Sequence, residues 1–223
     1  MHYTLLISCS PDNKQHQYAV DYARHRDELG DALGMVFFYG EGVDILQDLH
    51  QKHQRAWTEL AEKLCLCSGS VAQQNIHLLS DGSCPNPHYE IAGLGEWIRA
   101  TLDSDQMIHF GQHKTPRELT RPEATGFEKA RPPSKARFAL IESSQSDEKN
   151  LHYLTNMALA LSCFDQEVHV LFRKRGEDSS QHSPEFKSAL NTLHSYGAGQ
   201  MSFIQSDADA IELLKPADYV ITL

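Results

Sequence analysis

Long apolar runs are missing from this sequence. No stretch of about 18 apolar residues occurs among its 223 residues, so the sequence predicts no membrane-spanning helix. The first residues, MHYTLLISCSPDN, lack both the basic segment and the long apolar segment of a signal peptide. We therefore expect a cytoplasmic protein with no membrane contact.

Positive charge is also scarce. The chain has 20 Lys and Arg residues against 30 Asp and Glu residues, which gives a formal net charge of −10 and a pI of about 5.7. Surfaces that hold nucleic-acid phosphates are usually basic, so we do not expect direct nucleic-acid binding. The composition, 40 % hydrophobic and 22 % charged, is nonetheless that of a globular protein with room for one large domain or two small ones.

Several motifs that carry known chemistry do not occur in the sequence. It has no GxGxxG, no GxxxxGK[ST] and no GxSxG, and its 13 histidines show no tight metal-ligand spacing. We therefore expect no metal and no organic cofactor. The odd number of cysteines makes a disulfide framework unexpected in a cytosolic chain and leaves thiol chemistry open. The five are Cys9, Cys65, Cys67, Cys84 and Cys163.

The order of periodic segments predicts an α/β fold. In the first half, short apolar runs of strand length alternate with segments of helical periodicity, which favours parallel strands joined by helices. The predicted strands are 3–8, 35–39, 64–67 and 107–110. The predicted helices are 16–29, 53–64, 69–75 and 93–102.

The same order begins again near residue 137. Strands are predicted at 138–141, 167–172, 201–204 and 219–223, and helices at 151–163, 186–196 and 208–214. MVFFYGEG in the first half is echoed by VHVLFRKRG in the second, and GLGEWIRATLDSD by ADAIELLKPAD. We infer a tandem duplication, with domains at 1–111 and 136–223 that pack as a pseudo-dimer and oligomerise further. Residues 112–135 read as a proline-rich, basic linker.

Cys67 is the strongest candidate for chemistry. It ends a short predicted strand and precedes Ser68 and Gly69, at the strand-to-helix junction where open α/β sheets bind ligands. Unpaired amides and the positive end of a helix dipole would stabilise a thiolate there, as a nucleophilic sulfur requires. A buried, inert cysteine is the alternative, and the residues alone do not decide between the two. Cys65 reads as a core cysteine, and Cys9 as a second thiol that could face the same edge.

Four stretches of the first half resemble the DsrE/TusD family of sulfur-relay proteins. They are VFFYGEGV at 36–43, RAWTELAEK at 55–63, LCSGSVAQQNI at 66–76 and YEIAGLGEWIRATLDSDQMIHFG at 89–111. The resemblance implies that a cysteine at the end of the third strand carries a persulfide, and the motif maps that role onto Cys67. It also implies a TusA-like sulfur donor and a TusE- or DsrC-like acceptor. A TusB-like subunit is a further expected partner, because family members assemble as TusBCD or DsrEFH heterohexamers.

The second half is similar to a shortened domain of the TusC/DsrF type. It has only 13 positions from Ser206 to Tyr219, where the first half has 40 from Cys67 to Met107, and no cysteine follows its third strand. We therefore expect this half to be catalytically silent and to complete an interface.

Three functions fit the sequence to different degrees. The first is a sulfurtransferase-like persulfide relay in tRNA 2-thiouridine synthesis or in sulfur oxidation. The second is a non-catalytic DsrE-like binding or scaffold module whose thiols are incidental. The third, a flavodoxin-like nucleotide binder, has the least support because no phosphate-binding motif is present.

Overall fold

Two compact units make up the chain, Met1–Gln112 and His113–Leu223. They are seen in a computed structural model that describes residues 1–111, 135–142, 148–173, 183–205 and 207–223. Both are α/β units with a sheet of parallel strands flanked by helices, as the sequence predicts. The predicted linker, 112–135, lies almost entirely outside the described residues.

The first unit holds a five-stranded sheet in the order β4-β3-β2-β1-β5. Its strands are β1 (His2–Ile7), β2 (Ala32–Phe38), β3 (Ala61–Cys67), β4 (Tyr89–Ala92) and β5 (Gln106–Phe110). Its α-helices are α1 (Lys14–Glu28), α2 (Gln51–Leu60), α3 (Ser68–Gln73) and α4 (Leu94–Asp103). Two 3₁₀ segments, Gly40–Leu46 and Asp48–His50, connect β2 to α2.

Local signals fix the ends of α1. The side chain of Asn13 accepts a hydrogen bond from the amide of Gln15 at 2.9 Å, so Asn13 caps the first turn. The helix ends where Gly30 takes a left-handed φ of +79°, which glycine adopts without steric cost. The chain turns at Gly30 and enters β2 two residues later.

The two faces of the first sheet are covered differently. Alternate strand residues such as Phe38 and Leu66 join the main hydrophobic core with α1 and α2, where Trp57 is fully buried. The opposite strand residues face α4, with the rings of Phe37 and Trp97 6.4 Å apart. This alternation places Lys63, Cys65 and Cys67 on the α4 face of β3.

The second unit contains a four-stranded sheet in the order β8-β7-β6-β9. Its strands are β6 (Arg137–Ile141), β7 (Glu167–Arg173), β8 (Gln200–Ile204) and β9 (Tyr219–Thr222). Its helices are α5 (Glu148–Cys163), α6 (Pro184–Ser195) and α7 (Asp207–Leu214). This order repeats that of the first sheet without a counterpart of β4.

The structure differs from the prediction at two places in the first unit. Residues 61–64 were expected to close a helix, but Ala61 leaves helical geometry and pairs with Leu33 as the start of β3. The helix-favouring residues of that stretch yield to the hydrogen bonds of the sheet. The sequence analysis also missed β4, four residues long, which pairs with the end of β3 from Leu64 to Cys67. None of the helices in the described ranges is both long and apolar enough to cross a bilayer.

Candidate functional site

Cys67 lies at the junction that the sequence predicts, as the last residue of β3 and the residue that precedes α3. Its φ of −63° and ψ of 120° are those of a helix-capping position. A capping side chain usually accepts hydrogen bonds from amides two or three residues onward, here those of Gly69 and Ser70, but the Cys67 side chain makes no such bond. Amides in the first turn of a helix lack partners within the helix and in general favour a nearby anion.

Cys67 is buried, but no large side chain stands at the Gly69 position beside its sulfur. The residue is only 4 % exposed. A Cβ added to Gly69 would lie 3.9 Å from the sulfur, an ordinary van der Waals contact, so small residues border it on that side. Cys67 is therefore almost covered, whereas the next two residues, Ser68 and Gly69, are exposed.

A hydrogen bond ties the turn after Cys67 to the turn after β2. The buried hydroxyl of Ser70 accepts from the amide of Gly40 at 2.9 Å. The β2 turn is in turn held against β1, because the amide of Tyr39 donates to the carbonyl of Ile7 at 2.8 Å. A Cβ on Gly42 would overlap that same carbonyl, so this position requires glycine. Three neighbouring strand ends are thus fixed to one another at the carboxyl edge of the sheet.

Cys65 shares the α4 face with Cys67 but is fully buried. Burial raises the pKa of its thiol to about 11, although the nearby Lys63 ammonium acts in the opposite direction. The two cysteines form no disulfide. Cys65 is therefore a neutral core thiol, as the sequence predicts.

Of the remaining three cysteines, two are buried and one is exposed. Cys9 lies at the same end of the sheet as Cys67, but it is fully enclosed and burial raises the pKa of its thiol to about 12. Burial also raises the pKa of Cys84, which packs in the main core. Cys163 is exposed at the end of α5 in the second unit.

A buried serine–histidine pair is a feature that the sequence analysis missed. The Oγ of Ser8 and the Nε2 of His109 lie 2.7 Å apart at the ends of β1 and β5, on the sheet face that carries Cys67. Burial lowers the pKa of His109 to about 3, so the ring is neutral. Polar residues inside the apolar runs LLISCS and MIHF were the available signal.

Three histidines come together between α1 and α2. The rings of His16 and His53 lie 4.9 Å apart, and the Nδ1 of His50 lies 3.9 Å from a carboxylate oxygen of Asp12. The indole N–H of Trp57 donates to the Nε2 of His16 at 3.0 Å. Across the described residues, however, no three His, Cys, Asp or Glu side chains are arranged to hold a metal ion.

Comparison with known proteins identifies the first unit. Residues 1–110 match the model of the DsrE/DsrF-like family. The chain is 30 % identical over 115 residues to the sulfurtransferase TusD of Sodalis glossinidius, covering 44 % of this chain and 88 % of that protein. The chain belongs to the DsrE/DsrF-like family. It is also 28 % identical over 131 residues to a DsrE protein of Allochromatium vinosum, covering 50 % of this chain and 99 % of the relative.

The family resemblance predicted from the residues is thus confirmed, and with it a role within sulfur-relay systems in general. The family match covers the unit that carries Cys67 and stops short of the second unit. The assignment of residues 136–223 to a silent TusC/DsrF-like domain remains a prediction.

Proposed function

We propose that this DsrE/DsrF-like protein relays sulfane sulfur between carrier proteins in the cytoplasm, with Cys67 as the residue that carries it. The observation that supports Cys67 is its position at the carboxyl edge of a parallel sheet, between the end of β3 and the first turn of α3. Of the described cysteines in the first unit, Cys9, Cys65 and Cys84 all have thiol pKa values raised by burial.

The transfer consists of two displacements at sulfur. In the first, the Cys67 thiolate attacks the terminal sulfur of a donor persulfide, a new S–S bond forms, and the donor leaves as a thiolate. In the second, an acceptor thiolate attacks the outer sulfur of the Cys67 persulfide, and the Cys67 thiolate leaves. The persulfide proton travels with the sulfur or exchanges with solvent, and no net oxidation occurs. The relative pKa values of the leaving thiols set the direction.

The partners follow from the same chemistry. A TusA-like protein would supply the sulfur and a TusE- or DsrC-like protein would accept it, with a TusB-like subunit in the assembly, for tRNA thiolation or sulfur oxidation. The net charge of −10 favours partners with a basic docking face. Because Cys67 is 4 % exposed, a partner must present its cysteine on a slender, extended segment or displace the turn that follows Cys67.

Sulfur loading tests the proposal directly. The purified chain is incubated with a persulfide donor, and the intact mass and the modified peptide are determined. We expect one added sulfur atom, located on Cys67. Cys67→Ser should abolish the addition, whereas Cys65→Ser, a matched change two residues away on the same face, should preserve it.

A second function is favoured by one observation. The burial of Cys67 is also what a non-catalytic DsrE-like scaffold would show, since four of the five cysteines are buried. Sulfur spread over several cysteines, or no sulfur added at all, would support the scaffold and count against the relay.

A further inference from the structure

We propose that β8 of the second unit is a dimerisation edge, which pairs antiparallel with β8 of a second copy of this chain. The pair would join two four-stranded sheets into one continuous sheet. The main-chain N–H and C=O groups along a sheet edge are a template for another strand, so the edge itself sets what kind of partner fits. The proposal is independent of the sulfur relay, because it uses no residue of the first unit.

The outer side of β8 is the open edge of the second sheet. Strand β8 pairs with β7, and within the described residues no strand lies on its other side. In the first unit the corresponding strand, β3, is paired on both sides, because β4 covers its outer edge. The second unit therefore leaves uncovered a strand edge that the first unit closes.

Phe203 distinguishes β8 from the other edge strands. Of the large hydrophobic residues on the described strands it is the only exposed one, with 43 % of its surface accessible. Its ring joins an aromatic cluster, 5.8 Å from Phe172 and 6.4 Å from Phe186, both of which are buried. The residues of the edge strands β5 and β9, by contrast, are all buried or half-buried. An uncovered edge with an exposed aromatic ring favours association with another strand.

The composition of β8 allows two copies to approach each other. Its sequence, QMSFI, contains no charged residue and no proline, which are the residues that usually keep edge strands apart. The edge strand β4 carries such a charge, the exposed Glu90, which pairs with Lys63 at 3.3 Å. Copies of a chain with a net charge of −10 repel each other, so an uncharged edge is a place where they can meet without like charges in contact.

A carboxylate at the end of β8 favours the antiparallel direction. Asp209 accepts a hydrogen bond from the amide of Gln205 at 3.1 Å, just beyond the strand. Parallel pairing in register would bring the two Asp209 carboxylates together, whereas antiparallel pairing places them at opposite ends. With the middle residue, Ser202, on the two-fold axis, all five residues pair and Met201 lies beside Phe203 of the partner subunit. A methionine sulfur beside an aromatic ring is a favourable cross-strand contact.

Sedimentation velocity of the full chain over a range of concentrations, under reducing conditions, measures the dimerisation. Five residues on each side form a small interface, so we expect a dimer with a Kd roughly in the micromolar range. Phe203→Lys should raise that Kd at least about tenfold, because the two-fold axis places the new charge against Met201 twice. Tyr196→Lys is the matched control and should leave the Kd unchanged, since Tyr196 is an exposed aromatic residue of the same unit outside β8.

Cysteine cross-linking tests the direction and register. In a Cys163→Ser background, which removes the exposed native thiol, Ser202→Cys should form an intermolecular disulfide with diamide as the oxidant. Two copies of the central residue lie directly opposite each other, within reach of a disulfide. Gln205→Cys is the control, because it is exposed but its two copies would lie six positions apart along the paired strands, about 20 Å. It should form no cross-link.

Folding of Phe203→Lys is checked by circular dichroism, because Phe203 contacts two buried rings. If that variant does not fold, the cross-linking pair decides. The proposal is overturned if the chain stays monomeric up to about 200 μM, if Phe203→Lys and Tyr196→Lys dimerise equally well, or if cysteines at 202 and 205 cross-link to the same extent. Sulfur loading of Cys67 is measured separately, so its failure would refute the relay and leave the dimer in place.

Discussion

The buried imidazole of His16 should make the first unit sensitive to mild acid. His16 is fully buried, and Trp57 donates to its Nε2, which therefore carries no proton in the folded chain. Burial lowers the pKa of His16 to about 3, and the neighbouring His53 and His50 also disfavour a charge there. The ring thus stays neutral through the whole range in which an unfolded histidine becomes charged.

The size of the effect follows from this difference between the two states. An unfolded histidine has a pKa of about 6.5, so below that pH the unfolded chain takes up a proton that folded His16 refuses. The stability that His16 contributes is complete above about pH 6.5 and is lost progressively as the pH falls toward 3. Between about pH 7.5 and pH 5 the loss is about 2 kcal/mol, and it stays near that value even if the folded pKa is one unit higher.

Urea unfolding followed by tryptophan fluorescence measures this loss. Both tryptophans, Trp57 and Trp97, lie in the first unit, so the signal reports on that unit. His16→Gln keeps an acceptor for the Trp57 indole but removes the titrating ring. The variant should be less stable at pH 7.5, yet its further loss between pH 7.5 and pH 5 should be smaller than that of the native chain by about 2 kcal/mol.

Removal of an exposed imidazole provides the control. His77→Gln should retain the full pH dependence of the native chain, because the His77 side chain is exposed and lies outside the buried cluster. If the stability curves of His16→Gln and the native chain run parallel from pH 7.5 to pH 5, folded His16 takes up a proton and the account of the buried cluster is wrong.

Two further substitutions probe the framework. Lys63→Met removes the ion pair between Lys63 on β3 and Glu96 on α4, whose charged atoms lie 2.9 Å apart. Because both side chains are about one-third exposed, urea unfolding should show a loss of stability of no more than about 1 kcal/mol. A much larger loss would mean that the pair is more deeply desolvated than its exposure indicates. In the second unit, Gly199→Ala should cost more than about 2 kcal/mol, because Gly199 has a φ of +82° and an added Cβ would overlap the carbonyl of Val168. Gly197→Ala, at a φ of +61° with open space around the added Cβ, should cost about 1 kcal/mol. Hydrogen exchange in the second unit measures both losses of stability. Equal losses of protection in the two variants would contradict the steric explanation.

The sequence predicted the fold best where a segment's local signal agrees with its environment in the sheet. MVFFY reads as a buried strand and is one, since Val36 and Phe38 pack on one face of β2 while Phe37 packs on the other. The signal failed at Ala61 and its neighbours, where helix-favouring residues are recruited by pairing with β2. It failed again at β4, because a four-residue strand at a sheet edge has too few residues to display a period.

The site was predictable in position but not in its supports. Cys67 could be placed from a strand run followed by small residues, both of which are local features. The bond from Gly40 to Ser70 joins residues 30 apart, and the bond between Ser8 and His109 joins residues 101 apart. Such pairs depend on the order of the strands in the sheet, so the spacing of residues in the sequence does not predict them. The low exposure of Cys67 likewise depends on how the carboxyl edge of the sheet is packed and cannot be predicted from its neighbours in the sequence.

The edge strand β4 is a structural difference between the two units that bears on their proposed roles, an active first unit and a silent second unit. In the first unit, β4 pairs with β3 as far as Cys67, so the strand that ends in the candidate cysteine has neighbours on both sides. In the second unit, the corresponding strand β8 pairs with β7, and α7 follows it almost at once. The chain there has no segment equivalent to α3 and β4 between β8 and α7, and no cysteine. A sulfur carrier needs both a thiol and the turn that holds it. We therefore expect a cysteine substituted at Gln205 alone to take up no more sulfur than any other exposed thiol.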